Sequence, residues 1–262
     1  MQRNNYLYFT LLVLFLVAAS IAFSYSPMIF DPNYQGEDFI FLSQASQIGY
    51  VKSFLLSYKD HFIPLYRILW GALHLLFKNA ISIRAVILGF HIINAALIFH
   101  IVRRHTKSVA LATIASVTFG FSQKVASGVV WCINGVWGIS LCFILLMSIC
   151  LERFLRNNEY AGSPADENCG NPSNAISDSS SVASPSGTHP GNFRYYYAAL
   201  VSFAVALGFF TISISGGTVI WLFMYARVLR AKKFRQNLGY HLKIIIPFLV
   251  ILAVYLPIRS HF

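Results

Sequence analysis

Acidic side chains are scarce in this sequence, with nine in 262 residues against 20 lysines and arginines and a formal net charge of +11. None of the nine lies in the interior of an apolar run. That weighs against a proton- or cation-coupled transporter, which places ionisable groups near the middle of the bilayer. Charged residues of both signs make up only 11% of the chain, while 56% is hydrophobic, 16% is aromatic and the mean hydropathy is +0.61. An ordinary soluble domain carries about 25% charged residues, so a water-surrounded globule is excluded. Cysteine is thin as well. Cys132, Cys142 and Cys150 share one apolar run and Cys169 sits in a polar stretch, with no CxxC or other metal-ligand spacing. They read as packing residues. The basic excess is no nucleic-acid patch either, because the cations stand at the ends of apolar runs.

What the chain does have is a series of apolar runs on the scale needed to cross ~30 Å of hydrocarbon, at residues 6–25, 84–102, 109–121, 128–151, 195–212, 217–229 and 242–257. The expected fold is therefore an all-α polytopic membrane protein. The first run resembles a signal peptide but exceeds the usual apolar core of about 7 to 15 residues, so a retained signal anchor is expected. One further segment, Pro64–Phe77, has 14 residues and reads either as a short crossing or as an interfacial helix. The positive-inside rule decides between the two. With the N-terminus inside and Pro64–Phe77 on the outer surface, 13 of the 20 basic residues, including "RRHTK" and "RVLRAKKFR", face the cytoplasm. A crossing there would turn both clusters outward. Seven spans with an interfacial helix in the first outer loop, residues 26–83, is the expected topology, which leaves the C-terminus outside.

Residues 157–193 are rich in Ser, Asn, Pro and Gly, with too few apolar side chains to offset the entropy of folding. They read as a disordered cytoplasmic loop between an N-terminal membrane half, 1–156, and a three-helix segment, 194–262. Asp31, Glu37, Asp38 and Asp60 fall in the first outer loop, and the other acids at or in the cytoplasmic loop. The polar chemistry is thus expected on the outer face. There "EDFIFLSQASQI" has helical spacing with Phe39, Leu42 and Ala45 near one face, and Glu37 and Asp38 in the first turn. Acids in that position also serve a purely structural purpose, since they suit the unpaired N–H groups of a helix start. "KDHFIPLYR" follows, in which Asp60 is expected to cap the next helix, Pro64 to occupy its first turn, and Lys59 and Arg67 to meet headgroups. The alternative is that Lys59, His61 and Arg67 share a cavity with Asp38. His74, His91 and His100 read as packing or inter-helix hydrogen-bonding residues.

"GEDFIFL", "DHFIPLYRILWGALHLLF" and "IRAVILGFHIINAALIFHIVRR" together resemble the opening of membrane glycosyltransferases of the GT-C class, near the protein O-mannosyltransferase and aminoarabinose transferase branches. "ASGVVWCINGVWGISLCF" and "IIPFLVILAVYLPIR" are similar to later segments. The resemblance implies a bacterial inner-membrane enzyme that moves a sugar from a polyprenyl-phosphate donor to a lipid, glycan or protein hydroxyl on the outer face. It further implies that Asp38 is the catalytic base, with Glu37 as neighbour or substitute. One carboxylate suffices, because the phosphate leaving group, with a second pKa of about 6, needs no paired acid. Arg67 and Arg259 are the favoured cations for that phosphate, with Lys59 and His61 as further candidates and Arg84 and Lys124 as anchors of span ends. No metal site and no cofactor is indicated. Family members are commonly longer, often carry a Lys-Glu pair where Gly216 and Gly217 stand, and often an Asp where Asn134 or Trp137 stands. A short or truncated member that binds lipid-linked sugar without turnover is the alternative reading, and a flippase the third.

Overall fold

The computed structural model describes residues 2–34, 38–54, 56, 62–122, 132–161, 193–209 and 238–261. Among them every regular element is helical: α1 (Gln2–Ile29), α2 (Asp38–Ile48), α3 (Tyr50–Ser53), α4 (Pro64–Phe77), α5 (Ala80–Thr106), α6 (Val109–Gly120), α7 (Gly135–Ala161), α8 (Phe193–Phe209) and α9 (Leu238–His261). A 3-10 turn, Cys132–Asn134, leads into α7. Local chemistry sets several of the ends. Asn79 accepts the Ser82 N–H at 3.2 Å and starts α5, and Ser108 accepts the Leu111 N–H at 3.3 Å and starts α6. Lys78 and Lys107 adopt left-handed backbone and close α4 and α5. Pro64 does open α4, but its capping position is Ile63, which makes no side-chain bond, and not Asp60.

Three described stretches, Tyr8–Ile29, Ala80–Thr106 and Gly135–Asn157, are long and apolar enough to cross a membrane, as expected of an integral membrane protein. The runs expected at 109–121, 195–212 and 242–257 correspond to shorter apolar helices, Val109–Gly120, Phe193–Phe209 and Lys243–Ile258. At 1.5 Å per residue, α6 extends only ~18 Å. The run at 217–229 and most of the loop at 157–193 lie outside the described residues.

The cross-helix bonds give the direction of each element. α5 returns antiparallel to α1, with Arg103 donating to Thr10 Oγ1 at 2.6 Å near one end and Arg84 held by the chain after α1 at the other. α6 runs back up α5, where Gly120 O accepts both the Tyr25 hydroxyl at 3.1 Å and His91 Nε2 at 2.9 Å. α7 then runs parallel to α5. Gly135 abuts Ile87, Asn94 donates to Gly138 O at 2.7 Å, and Arg104 meets Glu152 at 3.3 Å. α8 is antiparallel to α7, and α9 is parallel to α8, since Tyr196 bonds Ile244 O near one end and Tyr255 bonds Phe62 O at the other. Two apolar cores result, one built on α1, α4 and α5 and the other on α7, α8 and α9. The near-parallel stack of Phe143 on Phe209 joins them.

Close packing of the Ile87 side chain explains one glycine in particular. A Cβ on Gly135 would overlap Cδ1 and Cγ1 of Ile87, so the isoleucine would have to shift. Gly135→Ala is expected to cost about 1–3 kcal/mol by overpacking. Thermal unfolding in detergent checks it: in an Ile87→Ala background the added cost of Gly135→Ala should shrink toward zero, and a Gly135→Ala protein as stable as the parent would refute the contact.

Candidate functional site

The polar groups with the most unusual placement gather at the end of the bundle where α1 stops and α2, α4, α5 and α7 start. Asp31 begins it. Its Oδ1 accepts the Asn33 backbone N–H at 3.0 Å and side-chain amide at 2.9 Å, which fixes a tight turn after α1. Around that turn wraps Arg84, one turn into α5 and fully buried. Its guanidinium donates to the carbonyls of Met28 at 3.2 Å, Asn33 at 2.7 Å and Asp31, and its Nη1 lies 3.9 Å from the Asp31 carboxylate. The planar fork with its five donors is suited to collecting several carbonyls at once. Arg84 is therefore no headgroup anchor. It is the internal brace that ties the first outer segment to α5.

Asp38, the first residue of α2, is also fully buried. Its Oδ2 accepts the backbone N–H of Cys132 at 3.3 Å, 94 positions away. The Cys132 thiol interacts with both the Asp38 carboxylate and the Arg84 guanidinium, and burial, helped by Asp38, pushes its pKa up to about 12. The helix start expected at Asp38 is present, yet the buried face of α2 is Asp38, Phe41 and Ala45, with Leu42 half-buried, whereas Phe39 is 57% exposed. Four consecutive apolar residues, Phe39 to Leu42, let more than one helical stripe fit the pattern. Asp38 sets the register by turning inward.

From α4, Tyr66, Arg67 and Trp70 turn toward α2. Arg67, 3% exposed, stacks its guanidinium 4.3 Å from the Phe41 ring centroid, one turn along α2 from Asp38. Of the two placements its sequence allows, headgroups or a cavity shared with Asp38, the buried position is not the headgroup one. Tyr66 is fully buried within electrostatic reach of Asp38 and Cys132, and burial first, then those two groups, raise its hydroxyl well above the usual tyrosine range. Its hydroxyl has no hydrogen-bond partner among the described residues. Behind it Trp70 packs edge-on to Phe41 and stacks within 14° on His74, which bonds the Tyr34 hydroxyl.

The structure thus brings together Asp38, Arg67 and Arg84 from three separated stretches. Glu37, Lys59 and His61 lie outside the described residues, as does the side chain of Arg259. The backbone of Arg259 is one turn past Tyr255, whose hydroxyl bonds Phe62 O, so it belongs to the same end of the bundle. His91 bridges helices as expected, whereas His100 is exposed on α5. Among the described residues no three His, Cys, Asp or Glu side chains are grouped to hold a metal ion. The sequence pattern missed Cys132 and the inward position of Arg84. An arginine four residues inside an otherwise apolar helix start, ahead of "AVILGF", was the available signal.

His74 gives a spectroscopic handle on this end. Burial, then Lys78, lowers its pKa below the ordinary histidine value of 6.5. A depressed folded value means the unfolded chain takes up the proton first, so stability is full above pH 6.5 and is lost as pH falls through the lower folded value. Protonation also converts the ring stacked on Trp70 into a cation. Tryptophan emission should therefore fall along a titration with a midpoint below 6.5 that His74→Gln removes; the same titration in that variant would show that His74 is not its source.

The chain matches no family model, no curated protein and no solved structure.

Proposed function

We propose that this chain is a membrane glycosyltransferase of the GT-C type, with about seven spans and α4 as an interfacial helix on the outer face. In this reading it moves a sugar from a polyprenyl-phosphate donor to an acceptor hydroxyl, and Asp38 takes the hydroxyl proton as the oxygen attacks the anomeric carbon. The observation that carries the reading is the convergence at one end of the bundle of a buried carboxylate, Asp38, with the guanidinium of Arg67 and the hydroxyl of Tyr66, which has no hydrogen-bond partner among the described residues. Arg67 would neutralise the departing phosphate, and Arg259 is the second cation of that role on the same end. Arg84 is reassigned to bracing, since its donors are directed to loop carbonyls.

The opposite end of the bundle carries Arg103, Arg104, Arg153, Arg156 and Arg194, which supports a cytoplasmic assignment for it and an outer one for Asp38. The exposed apolar row of α4, Ile68, Leu75, Leu76 and Phe77, suits a helix lying in the interface. The test is transfer from a polyprenyl-phosphate sugar by the reconstituted chain, parent against Asp38→Asn. Loss of transfer with donor binding kept supports the reading, and equal transfer by both removes Asp38 as base.

One observation favours a second reading, that of a lipid-linked-sugar binder without turnover. Asp38 is wholly covered and already braces Cys132. Donor binding that survives replacement of both Glu37 and Asp38, with no transfer by the parent, selects it.

A further inference from the structure

At the end of the bundle away from Asp38, one carboxylate is surrounded by arginines. Glu152 of α7 takes Arg104 at 3.3 Å, Arg156 at 2.9 Å and His105 at 3.6 Å. That uses up the carboxylate. Arg153, its neighbour in sequence, points elsewhere and puts its guanidinium 5.8 Å from the Tyr195 ring centroid, although it stays within electrostatic reach of Arg104. Arg194 of α8 puts a second guanidinium 4.8 Å from the same ring and donates to the Tyr195 hydroxyl at 3.0 Å. Neither Arg153 nor Arg194 meets a carboxylate among the described residues, and both are exposed.

Two cations held near one aromatic ring repel each other, and an anion bound beside both offsets that repulsion. The π-face supplies only a weak attraction, about 0.5–1 kcal/mol for an exposed cation. A phosphate supplies much more, because guanidinium groups bind its oxygens in pairs and a tyrosine hydroxyl adds a further donor. The position narrows the source of that phosphate. α7 carries one of the three long apolar stretches, and this pair stands near the end of it, beside the exposed aromatic residues Phe193 and Tyr197. Basic side chains mixed with aromatic rings at the end of a membrane-crossing helix mark the headgroup level, where anionic lipids concentrate.

We infer that Arg153, Arg194 and Tyr195 form a binding site for the headgroup phosphate of an anionic phospholipid, between α7 and α8. The site is independent of Asp38 and of any transfer reaction. The test uses the purified full chain in neutral detergent with phosphatidylglycerol or phosphatidylcholine added at equal concentration, and binding read by native mass spectrometry and thermal shift. The parent is expected to prefer phosphatidylglycerol, and Arg153→Gln with Arg194→Gln to weaken that lipid by about 30-fold and so remove its preference over zwitterionic phosphatidylcholine. Both residues are exposed, so the variant should fold; Arg153→Lys with Arg194→Lys, which keeps the charge and loses the paired geometry, should fall between. An unchanged preference in the double Gln variant would overturn the site. An equal shift from inorganic phosphate at matched concentration would overturn its assignment to lipid.

Discussion

Arg84→Met is expected to lower stability by about 3–5 kcal/mol, the cost of removing one member of a buried, hydrogen-bonded charge cluster. The magnitude follows from what the guanidinium holds. The carbonyls of Met28, Asp31 and Asn33 all accept from it, and the turn they form connects α1 to the segment that positions Asp38. Methionine fills much of the volume but donates nothing, so buried acceptors lose their partner and the Cys132 thiol loses the cation that interacts with it alongside Asp38. Lysine has three donors on a single nitrogen and cannot span the carbonyls as a fork does, so Arg84→Lys should recover only part. Thermal unfolding in detergent measures both. A Met variant within about 1 kcal/mol of the parent would contradict the brace and return Arg84 to the surface role its sequence position first suggested.

Asp38→Asn is expected to reduce sugar transfer by about 10²–10⁴-fold, the usual contribution of a general base. Asparagine is informative here because it separates the two roles open to this residue. Its amide oxygen still accepts the Cys132 N–H, so the contact across 94 residues persists, whereas its ability to take a proton is gone. Asp38→Ala removes both and should also destabilise the start of α2. An Asn variant that folds, binds donor and transfers nothing fits a base. Transfer at the parental rate in a well-folded Asn variant would leave Asp38 as a brace alone.

The elements themselves were largely legible. Pro64–Phe77 begins and ends where the sequence placed it, because Pro64 and the end of the apolar run are local signals that no distant contact has to supply. α1, α5 and α7 likewise follow from apolar length alone. The site was legible only where a single residue carried the signal. Asp38 stood out as a rare acid in the right loop, but its burial depends on Cys132, which the pattern assigned to packing. Arg84 looked like a surface cation because a positive charge beside an apolar run ordinarily marks a headgroup, and for the same reason the pattern left Arg67 open between headgroups and a cavity shared with Asp38. What turned them inward, a set of carbonyls after α1 and the ring of Phe41, exists only once the helices have packed.

The bond from the Tyr255 hydroxyl to Phe62 O closes a separation of 193 residues. On a ribosome adding about 5–20 residues per second, Phe62 emerges about 10–40 s before its partner. During that interval the stretch ahead of α4 has no α9 to rest against, and α1 and α5 can already have entered the bilayer. Completion of the Asp38 end is therefore coupled to the arrival of α9. A nascent chain arrested before residue 255 should leave the chain at Phe62, just ahead of α4, open to protease while α1, α4 and α5 are already protected.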